Sequence, residues 1–75
     1  MNKVRRKALD DIKARIEGLK EELDFLKEEE EMAFDNLPES LQGSDRGEKM
    51  EEYIQKIADA VSSLEDAVDY LNLDE

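Results

Sequence analysis

Between Met50 and Leu71 the large aliphatic residues are Met50, Ile54, Ile57, Val61, Leu64, Val68 and Leu71, separated by alternating steps of four and three. That repeat lays a single apolar seam along one side of a helix. Every intervening position is charged, polar, Ala or Tyr. A helix with one narrow seam is marginal in water by itself, because isolated helices gain too little from their own hydrogen bonds to offset nucleation. The seam needs a partner, and the first half of the chain carries one. Leu9, Ile12, Ile16, Leu19, Leu23 and Leu26 follow each other at steps of three and four.

Two matched seams on one short chain predict an all-α fold, an antiparallel helical hairpin of coiled-coil type. Leu9 is expected near Leu71, and Leu26 near Met50. The expected boundaries are a helix over about 3–34, a loop over about 35–45 and a helix over about 46–72, in one domain spanning 1–75. A lone hairpin covers each seam from one side only. Self-association into a homodimeric four-helix bundle is therefore expected, with a longer heterotypic coiled coil as the alternative. Ala58, Ala60 and Ala67 flank the second seam and would let a neighbouring helix come close, though they also serve simple helix propensity.

The first seam fails at Glu30, where the next apolar residue would fall, and apolar residues resume at Met32, Ala33, Phe34 and Leu37. Phe25 and Met32, seven apart, form a possible second stripe there. Gly18 lies outside the seam and is read as an exposed, tolerated glycine. Pro38 disfavours helix at Leu37 and can itself open a short helical turn through Glu39-Ser40-Leu41, leaving Gln42-Gly43-Ser44 as the break. Leu37 and Leu41 are the expected anchors of the connection. Asp45 with Glu48 has the spacing of a helix-capping pair.

Composition removes several kinds of chemistry. The 75 residues include no Cys and no His, so thiolate chemistry, Cys/His zinc sites and imidazole catalysis are excluded. There is no Gly-rich phosphate loop, no EF-hand loop and no apolar run long enough to span a bilayer. A non-enzymatic protein with no cofactor and no metal is expected. The N-terminal Met1-Asn2-Lys3-Val4-Arg5-Arg6-Lys7 is basic but lacks the apolar stretch of a secretory signal, which makes the cytoplasm the default location.

Net charge is −11, unevenly placed. Residues 1–20 hold seven Lys/Arg and three acids, residues 21–75 four and nineteen, so that +4 and −15 make up the total. Such a field disfavours direct nucleic-acid binding and favours a basic protein partner. The candidate partner-binding residues are Glu28, Glu29, Glu31, Asp35, Asn36 and Leu37 at the hairpin turn. On the second helix they are Glu51, Glu52, Asp59, Glu65, Asp66 and Asp69. Glu28 to Glu31 point in successive directions about 100° apart on a helix, so they do not converge on a metal. The acidic faces are either ordinary solubilising charge, a docking surface, or a mimic of the phosphate array of DNA. The basic tip of Lys3, Arg5, Arg6 and Lys7 is expected to balance the acidic end of an antiparallel neighbour, with a contact to nucleic acid or an acidic partner as the alternative. Tyr53 and Tyr70 are read as edge-packing residues, with Tyr70, Leu71 and Leu73 as an alternative docking patch.

The run Glu29-Glu30-Glu31-Met32-Ala33-Phe34-Asp35-Asn36-Leu37-Pro38-Glu39-Ser40-Leu41-Gln42, followed by Ser44-Asp45-Arg46-Gly47-Glu48, resembles a family of short acidic proteins from phages and mobile elements of Gram-positive bacteria. The resemblance implies a phage or mobile-element origin and no particular activity. By association it implies binding to, and inhibition of, a host protein such as a defence factor. Three readings follow: a host-interaction module, a DNA mimic occupying a DNA-binding site, or a structural coiled-coil component of a larger assembly.

Overall fold

A computed structural model describes residues 1–72. It contains three helices in chain order: α1 (Lys3–Asp35), α2 (Glu39–Gln42) and α3 (Asp45–Tyr70). The long helices α1 and α3 pack along each other as a hairpin, and α2 sits within the connection. Principal extents are 58 × 15 × 14 Å, and the radius of gyration is 17.4 Å. A compact domain of this length would have a radius near ~11 Å, so the molecule is a rod two helices wide.

The observed boundaries lie within a residue or two of those expected from the sequence. α1 starts where Asn2 caps it, its Oδ1 accepting the Arg5 backbone N–H at 2.8 Å. It stops at Asn36, whose N–H still donates to Met32 O at 3.0 Å, before Leu37 and Pro38 force extended backbone. Pro38 opens the short turn of helix α2, as its fixed φ favours. The cap of α3 differs from the sequence expectation. Ser44, not Asp45, is the capping residue, accepting the Gly47 N–H on its hydroxyl, and Asp45 becomes the first helical residue. The Ser44 hydroxyl also donates to the Leu41 carbonyl, tying the start of α3 to the end of α2.

Gln42 closes the same corner. Its amide donates to Leu37 O at 3.1 Å and to Phe34 O at 3.4 Å, the latter also accepting the Leu37 N–H at 3.0 Å, which ties the end of α2 to the end of α1. Gly47 is buried against this turn, and a Cβ built there would lie 2.1 Å from Gln42 O. Only glycine lets α3 start so close to α2. Leu37 is half-buried, whereas Leu41 is 43% exposed and holds the corner through its backbone carbonyl.

The seams are used unequally. On α3 all seven residues from Met50 to Leu71 are half-buried or buried, with Val61 the deepest at 7% exposure. On α1, Leu9, Ile16 and Leu23 are half-buried, and the line continues to Glu30, joined by Phe34 and, just past the helix, by Leu37. Ile12, Leu19 and Leu26, expected in the same seam, stand outside the packing at 41%, 53% and 52% exposure. The other flank of the α1 line is filled instead by Lys13, Lys20 and Lys27, all half-buried. Lysine stems cover apolar surface while their ammonium groups reach water, so they can close a seam that would otherwise take a second leucine row.

Candidate interaction surface

Among the described residues Val61 is the one apolar side chain that is buried, and no group of three or more acidic residues is arranged to hold a metal ion. No described helix is long and apolar enough to cross a membrane.

The candidate acidic residues are where the helical repeat puts them. Glu28, Glu29, Glu31, Asp35 and Asn36 are exposed at the turn end, and Leu37 is half-buried beneath them. Glu51, Glu52, Asp59, Glu65, Asp66 and Asp69 are exposed along α3. Some of these already have partners within the hairpin. Glu52 pairs with Lys56 at 3.0 Å, Asp59 accepts from the Gln55 amide at 2.9 Å, and Glu65 reaches Lys20 across the two helices at 3.6 Å. Lys20 is the most enclosed of these cations, its side chain 15% exposed, with Glu17 beside it at 3.4 Å. Burial opposes its charge, but the hydrogen bonds and negative charges of Glu17 and Glu65 outweigh that and raise its pKa above the ordinary value. Lys56 is raised by its hydrogen bond to Glu52 and by that carboxylate's charge.

The structure also shows where the second stripe of α1 lies. Phe25 and Met32 are 61% and 64% exposed, one turn-pair apart on the outer side of α1. At about 100° per residue, Glu21, Glu22, Glu28 and Glu29 surround them on the helix surface. An open groove beside Phe25 is lined by Gly18, Glu21, Glu22 and Leu26. The signal available in the sequence was the seven-residue interval between Phe25 and Met32. That interval predicts a second stripe at the end of the seam, and the structure places the pair on the side of α1 turned away from α3. Tyr70, expected to pack at an edge, is 85% exposed, and Tyr53 is 54% exposed. Leu73, the third member of the alternative C-terminal patch, lies outside the described residues.

The arrangement is one of contact chemistry: an aromatic and a thioether side chain framed by carboxylates, on a stiff helix. Such a face suits a partner with apolar anchors set among basic residues. Comparison with protein-family models, curated proteins and solved structures finds no match to this chain.

Proposed function

We propose that the chain is a non-enzymatic interaction module of phage or mobile-element origin that binds a host protein, such as a defence factor, and inhibits or otherwise modulates it. It acts in the host cytoplasm as a homodimer of hairpins. The observation that carries the reading is the exposed Phe25–Met32 pair within the acidic face of α1. We read this pair, set in an acidic rim, as the apolar centre of a contact surface. The origin and the host partner rest on the resemblance of the 29–48 segment, and the dimer on seams that one hairpin leaves partly wet.

A second reading, a DNA mimic, is favoured by the exposure of Glu51, Glu52, Asp59, Glu65, Asp66 and Asp69 along a narrow rod. One experiment separates the two. The chain is immobilised, a Gram-positive host lysate is passed over it, and retained proteins are identified for the native chain and for the Phe25→Glu/Met32→Glu variant. The module reading expects a protein retained by the native chain, lost with the variant, and not displaced by duplex DNA. Displacement by duplex with the variant still active supports mimicry instead. Retention by both that survives duplex refutes both assignments of the binding face.

A further inference from the structure

We infer that the second copy docks on the Ile12–Leu19–Leu26 row of α1, antiparallel, with Leu19 at the two-fold axis. The inference rests on the proposed self-association and assigns it a face and an orientation.

Area supports a self-contact of ordinary size. The hairpin exposes 5884 Å², whereas a globular monomer of 8.7 kDa exposes about 4,700 Å² by the usual scaling. The excess, about 1,200 Å², exceeds the ~800 Å² that each partner contributes to a standard interface. The row in question is the continuous apolar line on α1 that α3 leaves uncovered. It repeats every seven residues and continues to Ala33. It lies about 60° round the helix from the Leu9–Ile16–Leu23 line, so the two lines face two adjacent neighbours, as in a four-helix bundle.

Charge sets the direction. α1 has no acidic residue in its first turn and no basic residue in its last. Lys3, Arg5, Arg6 and Lys7 stand at the positive end of the helix dipole, and Glu28 to Glu31 and Asp35 at its negative end. Both placements oppose the dipole. A parallel α1–α1 pair would stack like charges end to end, whereas an antiparallel pair lays each basic tip along the other copy's acidic run. With Leu19 on the axis, Ile12 falls opposite the partner's Leu26, and Arg5 opposite the partner's Ala33, whose small side chain leaves room for it. Arg15 and Glu22, exposed on the same flank of the row, come into reach of the partner's Glu22 and the partner's Arg15.

The test is sedimentation equilibrium at micromolar concentration with helicity followed by circular dichroism. The native chain is expected at twice 8.7 kDa. Leu19→Glu, at an exposed position, is expected to keep its helicity and weaken the dimer about a hundredfold or more, because the change occurs twice at the centre of the interface. Phe25→Glu is expected to leave the dimer intact. Arg15→Glu and Glu22→Arg should each weaken it and together restore it. Independently, Leu19→Cys should form an intermolecular disulfide on mild oxidation, whereas Phe25→Cys should not. A monomeric native chain overturns both the inference and the self-association beneath it. A native dimer that survives Leu19→Glu, or that fails to cross-link through Leu19→Cys, overturns the face and orientation while leaving self-association standing.

Discussion

The same substitution, Gly to Ala, is expected to have opposite effects at the two helical glycines, and the difference is set by what a methyl group meets. At Gly18 a Cβ has nothing within 4 Å, so alanine only removes backbone freedom from the unfolded chain. Gly18→Ala should stabilise by about 0.5–1 kcal/mol. At Gly47 the new atom would lie 2.1 Å from Gln42 O, 2.6 Å from Gln42 C and 2.7 Å from Leu41 O. Those are backbone atoms of the turn, and even a 3.0 Å approach demands a shift of 0.9 Å. Because the atoms met are backbone and must move 0.9 Å, the cost belongs at the upper end of the roughly 1–3 kcal/mol for overpacking, about 2–3, and a propensity gain of about 1 at most leaves Gly47→Ala destabilised by ~1–2 kcal/mol. For a chain of this size that is a fall in Tm of about 4–15 °C, set beside a rise of about 2–8 °C for Gly18→Ala. The assay is thermal and urea unfolding by circular dichroism at fixed protein concentration, since the proposed self-association would make Tm concentration-dependent. A Gly47→Ala variant as stable as the native chain would refute the close approach of α3 to α2, and with it the described corner.

Further outcomes follow from the same packing. Val61→Ala, at the one deeply buried apolar site among the described residues, should cost about 1–3 kcal/mol, measured by urea midpoint, while the same truncation at exposed Leu26 changes monomer stability little. Ser44→Ala removes the α3 cap and should cost about 1 kcal/mol by the same measurement, with Asp45→Ala, not a cap, costing less. Lys20→Ala should destabilise more than Lys20→Met, because both variants lose the pair with Glu65 while only methionine keeps a stem over the seam. The charge contribution has a defined pH window. The folded pKa of Lys20 is raised, so its pairing favours the folded state below the unfolded value near 10.5 and is lost as pH rises through the folded value. The Tm difference between native and Lys20→Met should be flat through neutral pH and shrink only in that alkaline range.

Much of the hairpin was legible because heptad spacing reports which residues share a face. The seven residues of α3 all turn inward, and Pro38 and Gln42-Gly43-Ser44 mark the turn. The α1 seam was only half legible. A row such as Ile12, Leu19 and Leu26 satisfies the repeat equally well whether it faces α3 or another copy, and periodicity carries no information about which neighbour is present. The lysines that replace that row were missed because Lys13, Lys20 and Lys27 read as polar letters, although their seven-residue interval was visible. Gly47 was hidden for a different reason: the need for glycine arises from a contact with the backbone of Gln42, which no local pattern encodes. Phe25 and Met32 show the seven-residue spacing of a stripe, but spacing alone does not say that the stripe faces solvent, since at Glu30 the seam loses the residue that would fix its phase.

The central claim is that the chain folds back on itself after Asp35, with the start of α1 beside the end of α3. The absence of native cysteine allows clean labelling, so spin labels at Asp10→Cys and Asp69→Cys, diluted into an excess of unlabelled chain, read this directly by pulsed dipolar spectroscopy. Adjacent helices run 8–10 Å apart, which with label linkers predicts a distance under about 30 Å. A distribution centred near ~90 Å, the span of an unbroken helix between those positions, would contradict the hairpin and everything built on it.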